Sequence, residues 1–205
     1  MAIVTISRQY GAGGLTLGRR VARRLGYEFV DRALLAEVAK QAGVSLKTVE
    51  AVESEAGDRL LRLVSSLVSS DFVERHVGEE KLDFDEKKFV KFVSRAINEI
   101  ADRGRAVIVG RGGQFILKER GDTVRVLLVA ERSRRVSFIK DKLGVSQDEA
   151  EAIVSREEDR RARFLGNFTD GRPDDPCHYH LVLNTGLMGL ATAEELVYQL
   201  ACSFD

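Results

Sequence analysis

The chain has 205 residues, a length that suits one domain or one core with a modest insertion. Its 32 Lys and Arg balance 32 Asp and Glu, and this zero net charge argues against a nucleic-acid-binding protein. No apolar run reaches the roughly 18–20 residues that span a bilayer. Two cysteines do not make a disulfide scaffold, and Met1 leads straight into strand-like residues. We therefore expect a cytoplasmic globular protein without a signal peptide.

The first half of the chain combines two short strand patterns with a long helical region. Residues 2–7 and 27–30 predict strands, and residues 15–25 predict a helix between them. A helix over 31–40 would begin at Asp31. Residues 45–103 read as helical throughout, which makes them a helical insertion between strands.

The second half of the chain returns to alternating strands and helices. It predicts buried strands at 106–109 and 124–130, a helix at 132–143, a long charged helix after Ser146, a strand at 181–183 and a final helix. Ser146 and Glu149 form a capping box, and Thr192 is the expected cap of the final helix. Five strands separated by helices predict a doubly wound α/β fold with a parallel sheet. Such sheets bind ligands at the carboxyl ends of their strands.

A glycine-rich loop follows the first predicted strand and opens the first predicted helix. Its glycines allow backbone N–H groups to point into one concavity, where the helix N-terminus adds positive potential. The loop therefore predicts a phosphate cradle made of Gly11, Ala12, Gly13, Gly14, Leu15 and Thr16. The Thr16 hydroxyl is placed to reach Mg²⁺. The alternative is a strand-to-helix turn that binds nothing.

Arginines follow two further elements of the predicted sheet. Arg111 stands between glycines after a buried strand, where it can hold a phosphate or carboxylate. Arg156, Arg160 and Arg163 share one face of the charged helix and repel one another unless an anion arrives. The polar residues after that helix complete a predicted lid at about 155–176. The alternative interpretations are a surface arginine on a tight turn and a static solvated helix.

Several of these motifs together resemble a known family. In order along the chain, the resemblance lies in residues 3–14, 26–32, 109–112, 156–163 and 181–185. They resemble the cytidylate kinase-like family, a branch of the P-loop nucleoside monophosphate kinases. The resemblance implies a P-loop kinase fold whose five-stranded parallel sheet carries a helical acceptor-binding insertion and an arginine lid. It also implies transfer of the ATP γ-phosphoryl group, with Mg²⁺, to a nucleoside monophosphate such as CMP or dCMP, or to another small acceptor.

The resemblance also implies roles for individual residues. Residues 11–16 would wrap the donor phosphates, and Thr16 would meet Mg²⁺. The implied acceptor-site residues are Asp31, Arg32, Arg111 and Asn184. The implied lid arginines are Arg156 and Arg163, with Arg160 or Arg161. The expected partners are thus ATP and a small phosphorylated molecule, with neither a membrane nor a nucleic-acid polymer.

Among the positions that depart from the family pattern, two concern the donor phosphates and Mg²⁺. Gly14 stands where the loop lysine is expected, and Val109 stands where an acidic residue is expected. Arg8, at the mouth of the same loop, is the predicted substitute for the missing cation. Two hypotheses follow, an ATP-dependent phosphotransferase and a nucleotide-binding regulatory module without catalysis. Dinucleotide-dependent redox chemistry is a weaker alternative, because the third glycine of its fingerprint falls on Thr16.

Overall fold

A five-stranded parallel sheet forms the centre of the molecule. The computed structural model describes residues 2–30, 36, 38–41, 43, 45, 47 and 86–204. Its strands are β1 (Ile3–Arg8), β2 (Glu28–Val30), β3 (Ala106–Val109), β4 (Thr123–Val129) and β5 (Leu181–Asn184). The strands lie side by side in the order β2-β3-β1-β4-β5, and all of the pairings are parallel. The predicted parallel five-stranded sheet is confirmed.

Helices cover both faces of this sheet. They are α1 (Gly14–Leu25), α2 (Glu86–Arg103), α3 (Gly113–Ile116), α4 (Arg132–Leu143), α5 (Gln147–Leu165) and α6 (Thr185–Cys202). The apolar side of α2, with Phe89, Val93 and Ile97, packs on one face of the sheet. Helices α1 and α6 bury Leu17 and Val197 on the other face. The central strands are apolar on both sides because both sides are covered.

The order of the strands creates a crevice beside β1. From β1 the chain passes out to β2 and returns through β3 on one side, and it then crosses to β4 and β5 on the other side. The loops that leave β1 and β3 therefore meet at the carboxyl edge of the sheet. In open α/β sheets a crevice of this kind is where ligands bind.

Two predicted helix starts had different outcomes. The capping box is confirmed, because the Ser146 hydroxyl accepts from the Glu149 amide and the Glu149 carboxylate accepts from the Ser146 amide. The predicted cap at Thr192 is wrong. Helix α6 already begins at Thr185, where the Asn184 Oδ1 atom accepts from the Gly186 amide at 3.1 Å, and a kink at Gly189 (φ +75°) follows.

Part of the predicted first half lies outside the described residues. This applies to Asp31 and Arg32 and to most of the helical insertion predicted at 45–103. The described end of that insertion is helical, as expected, over Glu86–Arg103. Within the described parts of the chain, no helix has both the length and the apolarity that a membrane span requires.

The contact between β4 and β5 predicts a pH dependence of stability. The Arg125 amide donates to Nδ1 of His180 at 3.0 Å, and burial followed by the Arg125 charge lowers the pKa of His180 from its usual 6.5. The unfolded chain therefore takes up this proton at a higher pH than the folded protein. This contribution to the free energy of unfolding is complete above the pKa of His180 in the unfolded chain. It decreases as the pH falls towards the pKa of His180 in the folded protein.

We expect His180→Asn to reduce this pH dependence, because Asn keeps an acceptor near the Nδ1 position without titrating. Urea unfolding between about pH 7.5 and about pH 5.5 measures the effect. The wild-type protein should lose more stability over that interval than the variant. Parallel stability curves for the two proteins would contradict this role of His180.

Candidate active site

A cavity of about 260 Å³ lies at the carboxyl ends of β1 and β3. Helix α5 forms its opposite wall, and Phe89 of α2 and Leu15 of α1 contribute apolar surface. Four arginines line the cavity: Arg8, Arg111, Arg160 and Arg161. Among its described lining residues, Glu157 provides the one carboxylate. A cavity with this excess of positive charge suits an anionic ligand.

The glycine-rich loop between β1 and α1 has a phosphate-binding shape. Gly11 and Gly13 have φ values of +87° and +83°, which favour glycine. Gly13 is the N-cap of α1. Because glycine has no side chain, no side-chain hydrogen bond from the N-cap covers the first turn of the helix. The Thr185 hydroxyl donates to the Ala12 carbonyl at 3.0 Å and ties the loop to the start of α6. A turn of this shape at a helix N-terminus is suited to an anion.

Arg8 lies along the mouth of this loop. A Cβ atom placed on Gly14 would stand 2.7 Å from Cγ of Arg8, and one placed on Gly110 would stand 2.0 Å from Nη1 of Arg8. The side chain therefore runs past the start of α1 and brings its guanidinium against the turn after β3. Glycine at position 14 leaves the space that the stem of Arg8 occupies.

The turn after β3 holds Arg111 in an uncommon backbone conformation. Gly110, Arg111 and Gly112 have successive φ values of +79°, +52° and +72°. A positive φ in an arginine is a strained conformation, and such residues concentrate at functional sites. The preceding Val109 is buried, with Cγ2 at 2.6 Å from the position of a Cβ on Gly18. Position 109 therefore belongs to the packed contact between β3 and α1.

The arginines of α5 do not all reach the cavity. Arg160 lines it, with Nη1 3.8 Å from the Glu157 carboxylate. Arg156 also contacts Glu157, at 3.6 Å, but its side chain is 60% exposed and lies off the wall. Arg163 is exposed and is likewise absent from the wall. Of the three predicted lid arginines, the structure thus places Arg160 at the cavity in this conformation.

The resemblance left Arg160 and Arg161 as alternatives, and the structure places both at the cavity. Nη2 of Arg161 donates to Oγ of Ser7 at 2.9 Å, and its Nη1 donates to Asp174 at 3.2 Å. The side chain is 17% exposed. It joins the end of β1 to the segment after α5. No local pattern shows this pairing, because Ser7 and Arg161 are 154 positions apart.

A buried polar group behind the cavity also escaped the sequence analysis. Gln114 is 2% exposed, and its Nε2 lies 3.5 Å from Oγ of Ser7 and 3.4 Å from Oη of Tyr179. The Tyr179 hydroxyl donates to the Pro173 carbonyl at 2.7 Å. Burial raises the pKa of Tyr179, so the phenol is protonated near neutral pH and can donate this bond. The group holds the end of the predicted lid against β1.

The remaining predicted site residues are not among those described in the cavity wall. Asp31 and Arg32 are outside the described residues, and Asn184 caps α6 away from the cavity wall. Thr16 is exposed on the first turn of α1 and also lies off the wall.

A Mg²⁺ ion would find few protein ligands here. No group of three or more His, Cys, Asp or Glu side chains suited to a metal occurs in the described part of the chain. Mg²⁺ usually keeps several waters and binds substrate phosphates with one or two protein ligands. A single hydroxyl such as that of Thr16, on the first turn of α1, is compatible with this mode of binding.

The parallel sheet, the glycine loop at its first strand and the arginine-bearing helix define a P-loop kinase fold. The model of the cytidylate kinase-like family matches residues 3–187. The chain belongs to that family, as the sequence motifs indicated.

Individual relatives agree with this assignment. A protein named cytidylate kinase from Ignicoccus hospitalis is 28% identical over 96% of this chain and 97% of its own length. An uncharacterized protein from Eubacterium ventriosum has a similar structure, with a TM-score of 0.71, 16% identity and 99% of each chain covered. Shikimate kinase from Bacteroides thetaiotaomicron follows with a TM-score of 0.53, 15% identity and 97% of each chain covered. The last two similarities establish the fold.

Proposed function

We propose that the protein transfers the γ-phosphoryl group of ATP to the phosphate of a small acceptor, and that the acceptor is a nucleoside monophosphate such as CMP or dCMP. The observation that carries the proposal is the convergence of Arg8, Arg111, Arg160 and Arg161 on one cavity beside the glycine loop. The name of the 28% identical relative supports the same activity. Phosphoryl transfer depends mainly on positioned positive charge of this kind.

The balance of charges favours a phosphate acceptor over an alcohol. A phosphate monoester is largely ionised at neutral pH, so its oxygen can attack the γ-phosphorus without a base. The new P–O bond forms as the bond to the bridging oxygen of ADP breaks. An alcohol would have to lose its proton to a base. The carboxylate available in the described cavity wall, Glu157, already contacts Arg156 and Arg160.

The residues of the chain divide between the two substrates. The backbone of the glycine loop and the N-terminus of α1 would bind the donor phosphates. Arg111, Arg160 and Arg161 would hold the acceptor phosphate and the group in transfer. Mg²⁺ held by Thr16 and the nucleotide would neutralise charge on the β- and γ-phosphate oxygens. The resemblance adds residues 31–32 and Asn184 on the acceptor side, and Asn184 would first have to release its bond to Gly186.

A regulatory module that binds a nucleotide without catalysis is the second candidate. Gly14 at the lysine position and buried Val109 at the acid position favour it. Arg8 favours catalysis, because its guanidinium lies between the loop and the turn that carries Arg111. Both candidates predict nucleotide binding, and only the phosphotransferase predicts turnover.

The test is a coupled ADP-release assay with ATP, Mg²⁺ and a panel of acceptors, combined with calorimetric titration of each ligand. The panel contains the ribo- and deoxyribonucleoside monophosphates, with shikimate and gluconate as alcohol acceptors. We expect turnover that depends on a monophosphate. ATP binding without turnover for any acceptor would identify the regulatory module. Turnover with the alcohols alone would overturn the phosphate-acceptor assignment.

The predicted lid gives an independent expectation. Hydrogen exchange across residues 155–176 should slow when a bisubstrate analogue is bound and change little with the donor nucleotide alone. The reason is that the arginines of α5 gain an anion only when both substrates meet. If exchange there is slow in the ligand-free protein and no ligand alters it, the segment is a static charged helix.

A further inference from the structure

Arg135 on α4 is a buried cation that the proposed reaction does not use. Its side chain is 7% exposed. Its Nε donates to the Ala130 carbonyl at 2.8 Å, and its Nη1 donates to the Tyr10 carbonyl at 3.2 Å. The same Nη1 forms an ion pair with Glu158. One guanidinium therefore contacts the end of β4, the glycine loop and the arginine-bearing helix α5.

The glycine loop fits closely against this arginine. A Cβ atom on Gly11 would stand 2.9 Å from both Cβ and the carbonyl oxygen of Arg135. Gly11 also has a φ of +87°. The loop backbone therefore rests on α4 without room for a side chain, and Tyr10, which precedes Gly11, lines the cavity. A movement of Arg135 is transmitted directly to this part of the loop.

Glu158, the partner of Arg135 on α5, is also held by a second arginine of α4. Glu158 also accepts from Nη1 of Arg132 at 3.2 Å, and Nη2 of Arg132 donates to the Ser155 hydroxyl at 2.7 Å. Glu158 directly follows Glu157, which lines the cavity. Helix α5 is thus attached to α4 at the turn that faces the site.

Burial makes these contacts interdependent. A desolvated guanidinium is stable only while a carboxylate and hydrogen-bond acceptors satisfy it. If α5 withdraws Glu158, the buried charge loses its counter-ion, and Arg135 must shift towards water. That shift removes the donor from the Tyr10 carbonyl.

We propose that Arg135 is a positioning residue that couples the glycine loop to α5, so that a displacement of one changes the position of the other. The coupling deepens the proposed function, since there it would link donor binding to closure of the arginine helix over the acceptor. The physical linkage itself is a property of the ligand-free protein.

The first experiment measures this linkage without any substrate. Hydrogen exchange of the loop amides at residues 9–16 is compared in the wild-type protein and in Glu158→Gln, which keeps the shape of the side chain and removes its charge. Glu195→Gln is the matched control. Glu195 lies away from the cavity, and its carboxylate pairs with Arg24 at a distance of 2.6 Å. We expect loop exchange to accelerate about threefold or more in Glu158→Gln and to stay unchanged in the control. Unchanged loop exchange in Glu158→Gln would overturn the proposal, whether or not its melting temperature falls.

The second experiment uses ADP binding and a double-mutant cycle of Arg135→Lys and Glu158→Gln. Lysine keeps the positive charge but cannot contact all three partners. Each single variant should weaken ADP binding, and the double variant should be no weaker than the worse single variant. Additive losses would refute the coupling. If the wild-type protein binds no nucleotide, the proposed function fails, and the exchange experiment still decides the linkage.

Discussion

Replacing Arg8 with alanine should lower kcat by about two to three orders of magnitude and weaken ATP binding by less than about tenfold. In the proposed function, the backbone of the glycine loop would supply most of the ground-state contacts to the donor. Arg8 contributes a charge next to the turn that carries Arg111, where the phosphoryl group would pass. Steady-state kinetics and calorimetric titration separate the two effects. Arg20→Ala is the control, because Arg20 is a partly exposed arginine of α1 that pairs with Glu194.

Moving the cation from position 8 to position 14 is a sharper test of the role of Arg8. Gly14→Lys alone should impair the enzyme, since its Cβ would stand 2.7 Å from Cγ of Arg8. Combining it with Arg8→Ala removes the contact with Cγ, leaves the Cβ of residue 8 at 3.1 Å, and restores a lysine at the usual place. The double variant should therefore recover part of the kcat that Arg8→Ala loses. An active wild-type protein whose kcat is unchanged by Arg8→Ala would show that the catalytic charge comes from elsewhere.

Replacing Gly13 with valine should reduce nucleotide affinity by at least about tenfold. Its φ of +83° is strained for any β-branched residue, and a Cβ there would stand 2.8 Å from Cδ2 of Leu190. The loop must then change conformation, and its amides no longer converge on a phosphate. Calorimetric titration with ATP and ADP measures the loss.

Gly121→Val provides the control for this substitution. No atom lies within 4 Å of the position of a Cβ on Gly121, so valine should be tolerated there. Gly13→Ala introduces the same backbone strain with less bulk and should show an intermediate loss. Thermal unfolding of all three variants identifies any general loss of structure. Equal affinities of Gly13→Val and the wild-type protein would place the nucleotide site elsewhere.

The strands and the glycine loop were predictable because their signals are local. Apolar runs marked the buried strands, and the capping box at Ser146 marked the start of α5. The cap of α6 was not predictable in the same way. Thr192 has the better local pattern, but Asn184 reaches the Gly186 amide directly at the end of β5, and the part of α6 after the non-helical Gly189 begins before Thr192.

The partners that complete the cavity depend on the tertiary arrangement. Arg161 and Arg160 are neighbours in the sequence, and only the position of α5 over β1 shows that Arg161 meets Ser7. The three partners of Arg135 come from three different segments, so no spacing rule relates them. Arg163 was selected on helical periodicity, which gives the direction of a side chain but not the distance of the helix from the site.

The position of Arg8 has a mechanical consequence. A lysine at position 14 would travel with α1, so its charge would follow every tilt of that helix. Arg8 is the last residue of β1 and pairs in register with Leu128 of β4, in the middle of the sheet. The backbone that carries its charge is therefore held in the central strand of the sheet. If the glycine loop adjusts to a nucleotide as proposed, the backbone of Arg8 would keep its place in the sheet, and the sheet would set the position of this charge relative to the transferred phosphoryl group.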